Sequence, residues 1–192
     1  MNRKESILDA ATQLFAEKGF EATPTAEVAK RAGVSEGTIF HHFKTKDGVL
    51  IHIIRRMMTR YSKEIRAEAE QAASGLDAVE RMIRLHCRFI NEHTQEFLVI
   101  FRDLPAHFLK PDLPQRKMVH DHVTKIFRLL TEAIQRGQSD GSIRDVPPEK
   151  TAFILRGLLI GLTRQRLFGL LEVPDLSEEV IDFCRRSLAR NV

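Results

Sequence analysis

Apolar residues recur at intervals of three and four along most of the chain, the spacing of helices that bury one face. Ile7, Leu8, Ala11, Leu14 and Phe15 mark a first helix over residues 3–18, and Gly19 stops it. Val28, Ala29 and Ala32 form the small apolar face of a second helix. Thr25 is its expected cap and Gly33 its stop, because a left-handed residue there suits glycine. Val34 plugs the angle that follows, and Ser35 caps a third helix through His42. A fourth helix, over 46–73 behind Thr45, carries Leu50, Ile53, Ile54, Met57, Met58, Tyr61 and Ile65 on its buried side. The pattern returns over 76–92, 95–104, 115–136, 148–170 and 177–189. Pro105, Pro111 and Pro114 make 106–114 a stiff connection, 138–147 is loop-like, and Pro148 suits a first helical turn. No stretch alternates with a period of two, so the predicted fold class is all-α, with about nine helices.

Thr25–Lys46 holds two short helices joined by a glycine turn, the layout of a helix-turn-helix whose second helix enters the major groove of DNA. Thr25, Val28, Ala29, Ala32, Gly33, Val34, Ser35, Gly37, Thr38, Phe40, His42, Phe43, Lys46 and Leu50 stand at a characteristic spacing. In these residues the segment resembles the TetR (tetracycline-repressor-like) family. Phe40 stands where that family often has tyrosine, and His41 where a second aromatic is common. The resemblance implies a three-helix DNA-binding head over 1–46 and a helical-bundle body over 47–192 for effector binding and dimerisation. A reading helix needs small or polar groups on its outer face to sit deep in the groove. Thr25, Ser35, Glu36, Gly37, Thr38, Phe40, His41, Lys44 and Lys46 are the expected DNA-contacting residues, and Arg3 and Lys4 are free to reach a phosphate.

Composition narrows the classes further. A chain of 192 residues that is 43% hydrophobic suits one or two small domains with a real core. The net charge of +4 is mild and the first fifty residues are balanced, so DNA binding rests on where charges sit. Cys87 and Cys184, far apart in apolar helical patterns, are expected as buried free thiols. No apolar run approaches the ~20 residues of a spanning helix and no leader precedes Ser6, so a soluble cytoplasmic protein without a membrane partner is expected.

Catalytic spacings are missing. None of the glutamates has a histidine three places on, and His120 and His122 point in different directions on a helix. There is no phosphate loop and no nucleophile elbow. We therefore expect no catalytic residue, metal or cofactor. Met57, Met58, His86, Phe89, Ile90, His93, Phe97, Phe101, Phe108 and Phe127 lie on helices that, by the resemblance, surround a ligand cavity; ordinary core packing is the competing reading. Twelve phenylalanines against one tyrosine favour a small hydrophobic effector, such as an acyl chain or flat aromatic, oriented by His86, His93 or Arg128. The last two helices are apolar nearly all round, and Phe153, Gly157, Leu158, Gly161, Leu162 and Phe183 are the expected homodimer face, against a monomeric core.

The resulting expectation is a ligand-responsive transcriptional regulator, by the family's usual mode a repressor. It would bind a roughly palindromic double-stranded operator as a dimer, with half-sites about 34–36 Å apart, and leave it on meeting a hydrophobic small molecule. The alternative is an all-α enzyme or lipid carrier with a hydrophobic cavity. A third reading is a DNA-binding structural protein without an effector.

Overall fold

The computed structural model describes residues 2–103, 110, 113–169 and 174–190. Its helices are α1 (Arg3–Lys18), α2 (Thr25–Ala32), α3 (Glu36–Phe43), α4 (Lys46–Glu70), α5 (Gly75–Glu92), α6 (Thr94–Asp103), α7 (Pro114–Asp140), α8 (Pro148–Phe168) and α9 (Ser177–Leu188). Among the described residues there is no strand, only an isolated bridge between Ile143 and Ala189. None of these helices is long and apolar enough to cross a membrane.

The chain divides into two compact units, Met1–Thr59 with His93–Val119, and Arg60–Glu92 with His120–Val192. In the first, Ile7, Leu14, Phe15, Ile39, Leu50 and Ile53 are wholly buried, and Val99 of α6 joins their core. Polar clamps surround that core. Arg56 on α4 donates to Glu5 (2.9 Å) and Asp9 (2.7 Å) on α1. Arg102 on α6 donates to the Phe15 carbonyl, which also accepts from the Gly19 amide (2.9 Å), and to that of Ala16 (3.1 Å), both in the last turn of α1.

In the second unit, α5 packs on α8 and α9 over a core that includes Val79, Ile83, Leu85, Ile134, Ile143 and Ile181. A Cβ on Gly75 would stand 2.0 Å from the Gly137 amide nitrogen, so α5 and α7 meet there backbone to backbone. This contact explains why α7 runs to Asp140, past the expected end at 136. Asp140 accepts from the Gly75 amide (2.7 Å) and the Ser142 amide (2.9 Å), and Gly141 at φ 80° ends the helix. α4 stops at Glu70, short of the expected 73, where Arg136 takes the Ala72 carbonyl (2.8 Å). Of the expected connection over 106–114, only residues 110, 113 and 114 are described, and Pro114 already opens α7.

Candidate nucleic-acid interface and ligand cavity

The helix-turn-helix is built from local rules. α2 ends on Gly33 in the left-handed conformation (φ 67°, ψ 35°), and the Val34 amide closes on the Ala29 carbonyl at 3.0 Å. Val34 packs on the first unit's core, as do Ile39 and Phe43 from the inner face of α3. That leaves Glu36, Gly37, Phe40, His41 and His42 exposed, with Thr38 half-buried. Phe40 is 43% exposed, alone in this among the large hydrophobics described in the first unit. A Cβ on Gly37 would meet nothing nearer than Ser35 Oγ at 3.8 Å, so packing within the chain does not demand glycine there.

The two expected side-chain caps do not form. Pro24 precedes α2, and the Thr25 hydroxyl donates instead across to the Glu36 carboxylate on α3. Ser35 Oγ lies 2.9 Å from the Thr38 hydroxyl and makes no bond to a backbone amide. The close angle between the two short helices gives Thr25 its partner, whereas Ser35 finds one a turn along α3. Thr45 does cap α4, accepting from the Gly48 amide at 2.9 Å.

The joint between α3 and α4 is the feature least visible in sequence. Lys44 has φ 68° and ψ −42°, and the Thr45 amide reaches back to the Phe43 carbonyl at 2.8 Å. This is a γ-turn of the rare, strained kind. The Phe43 carbonyl occupies the space of a Gly48 side chain, 1.9 Å from where its Cβ would stand. Lys44 points its charge into solvent, whereas the Lys46 ammonium donates to the Glu21 carbonyl (3.1 Å) and lies 4.5 Å over the Phe20 ring. Lys4 lies 5.8 Å over the Phe43 ring, and Arg3 is exposed.

A small cavity of about 40 Å³, part of it open to solvent, lies within the second unit. Its apolar walls are Ile90 of α5, Leu159 and Leu162 of α8, Leu176, and Val180 of α9; Arg166 and Asp175 stand among its polar lining residues. His86 and Thr163 line it too, and they belong to one buried chain of hydrogen bonds. Thr163 donates to the Leu159 carbonyl at 2.8 Å, which uses its only hydrogen. It therefore accepts from His86 Nε2 at 3.1 Å, so the imidazole carries its proton on Nε2. Nδ1 then accepts from the Tyr61 hydroxyl at 2.7 Å. Burial pushes the His86 pKa down to about 4 and that of Tyr61 up, so both stay neutral.

The expected effector residues are spread over both units. His86 and Ile90 line the cavity. Phe89 is wholly buried 5.1 Å from the Tyr61 ring, and Phe127 packs on the same core. In the first unit Met57 is buried, Met58 packs on the core, Phe97 stacks on Phe101 at 6.0 Å, and His93 lies 3.6 Å from Glu96. Phe108 lies outside the described residues. Sequence reasoning missed Cys87, Leu159, Thr163 and Arg166 as lining. Thr163, polar in the apolar run of α8, was the available signal. Cys87 is only partly buried, at the cavity, whereas Cys184 is buried as expected. Among the described residues, no group of three histidines, cysteines or acids is placed to hold a metal.

On α8 and α9, Phe153 (67% exposed) and Phe183 (63%) stand in solvent, and nothing lies within 4 Å of a Cβ on Gly157 or Gly161. Leu158 and Leu162 turn the other way, onto the unit's own core. The helical spacing of 153, 157 and 161 gives one continuous open stripe.

Residues 7–53 match the sequence model of the bacterial regulatory proteins of the tetR family, and residues 72–188 match that of the tetracyclin repressor-like C-terminal domain. The chain belongs to the TetR family. It is a ligand-responsive, DNA-binding transcriptional regulator that acts as a dimer, and not an enzyme. Among its relatives, the fatty acid metabolism regulator protein of Bacillus subtilis is 26% identical over 86% of this chain and 78% of its own. The transcriptional repressor KstR2 of Mycolicibacterium smegmatis is 27% identical over 74% of this chain and 68% of its own. Two solved structures share the TetR fold. A transcriptional regulator of Saccharomonospora viridis in complex with choline superposes with a TM-score of 0.84 at 22% identity, covering 98% of each chain. FadR of Bacillus subtilis in complex with stearoyl-CoA does so with 0.79 at 19%, covering 93% of this chain and 96% of its own.

Proposed function

We propose that this TetR-family regulator is a cytoplasmic repressor that leaves a roughly palindromic operator when an acyl chain, carried as a coenzyme A thioester, fills the second unit's cavity. The observation behind it is the cavity itself: apolar walls, neutral buried polar groups at His86 and Thr163, and a cation at Arg166. Such walls favour an apolar body and disfavour a charge inside. The 26%-identical relative named for fatty acid metabolism supports the ligand class. In this proposal residues 1–46 are the head and 47–192 the body. Ser35, Glu36, Gly37, Thr38, Phe40 and His41 face the groove, while Thr25, Lys44 and Lys46 stand near phosphates. Phe153, Gly157, Gly161 and Phe183 meet a second copy. Two-fold symmetry of the dimer then dictates the palindrome.

The experiment is fluorescence anisotropy on duplex DNA chosen by selection, titrated with palmitoyl-CoA, palmitate and coenzyme A separately. Release by palmitoyl-CoA and not by coenzyme A is expected. Failure of every acyl species to release DNA would reject the ligand class. Leu162→Trp, which fills the cavity, should abolish release while leaving DNA affinity unchanged.

A further inference from the structure

The first turn of α3 carries a carboxylate where a groove-reading helix begins. Glu36 is exposed, and the Thr25 hydroxyl on α2 donates to its Oε1. That bond pins the carboxylate between the two helices and leaves Oε2 as an acceptor. The Ser35 and Thr38 hydroxyls pair with each other at 2.9 Å, and Gly37 has no side chain.

A carboxylate set against DNA is repelled by the phosphates, so it gains only where the groove offers a hydrogen-bond donor. The major groove offers two, the amino groups of adenine and cytosine. Adenine's amino group has acceptors on both sides, its own N7 and the thymine O4. A carboxylate has no hydrogen to give either of them. Cytosine's amino group has an acceptor on one side only, with the C5–H on the other.

We propose that Glu36 is a specificity-determining residue that accepts a hydrogen bond from the amino group of one cytosine in each operator half-site, with Thr25 as its positioning residue. This rests on α3 entering the major groove, as put forward above.

The test is selection from random duplex DNA with the full-length wild type, Glu36→Gln and Thr25→Val, each checked for native helix content by circular dichroism. The wild type should require cytosine at one position per half-site, and replacing that base should weaken binding about tenfold. Glutamine offers both a donor and an acceptor, so Glu36→Gln should prefer adenine at that position alone. Thr25→Val should blunt the cytosine preference and leave the other positions intact. An unchanged consensus for Glu36→Gln overturns the proposal. So does a uniform gain of affinity over all sequences, which would reduce Glu36 to phosphate repulsion. Failure of the wild type to enrich any sequence would instead refute the groove reading on which the proposal depends.

Discussion

Replacing His86 by glutamine should change how stability depends on pH. The imidazole is 8% exposed, bonded to Tyr61 and Thr163, and its pKa is pushed down from 6.5 to about 4 by burial. Above pH 6.5 it is neutral folded and unfolded, and contributes no slope. Between pH 6.5 and 4 the unfolded chain binds a proton that the folded chain refuses, so stability falls as pH falls. Below pH 4 the loss is complete. At about 1.4 kcal/mol per pH unit, that window is worth roughly 3 kcal/mol, a large share of the margin of an ordinary domain. Glutamine can donate to Thr163 and accept from Tyr61, but it does not titrate. Urea unfolding at fixed protomer concentration, repeated from pH 4 to 7.5, measures the difference. The carboxylates titrate equally in both proteins and cancel. Wild type should lose roughly 3 kcal/mol more than His86→Gln over that range, and parallel profiles would show that His86 is not the buried neutral group described.

Gly48→Ala places a methyl against the Phe43 carbonyl, 1.9 Å away; a loss of about 1–3 kcal/mol in the first unit's thermal stability is expected, together with weaker DNA binding. Gly37→Ala should do the opposite to the fold, gaining up to about 1 kcal/mol of helix propensity, yet weaken operator binding if the groove leaves no room there. Lys44→Gln should reduce the salt dependence of DNA binding by about one unit of slope, read from affinities at several salt concentrations. Gly157→Leu with Gly161→Leu meets nothing inside the protomer, so a stable fold with a halved mass in light scattering is expected.

The helix-turn-helix was legible because its determinants are local: a left-handed glycine at 33, apolar residues at helical spacing, and a turn of fixed length. The same locality made the helix count and the starts of α1, α4, α8 and α9 readable. The Ser35 cap was misread because its hydroxyl pairs with Thr38 one turn along α3, and the Thr25 cap because its hydroxyl found a partner on a neighbouring helix, which a short sequence window does not contain. The cavity was only partly anticipated for the same reason. His86 and Ile90 share a helix, but Thr163 reaches His86 across 77 positions, and phenylalanines at helical spacing look alike whether they line a cavity or fill a core.

By itself, then, the sequence determined an all-helical chain with a DNA-reading segment near its start, because hydrophobic period and turn chemistry act within a few residues. Tertiary structure alone decided the neutral tautomer of His86, the pin between Thr25 and Glu36, the turn at Lys44 that makes Gly48 necessary, and which side of α8 faces solvent. Except for the Lys44 turn, where the clash with Gly48 spans only five residues, each depends on groups far apart in sequence meeting within a few ångströms, where burial and hydrogen bonding, rather than local propensity, set the chemistry.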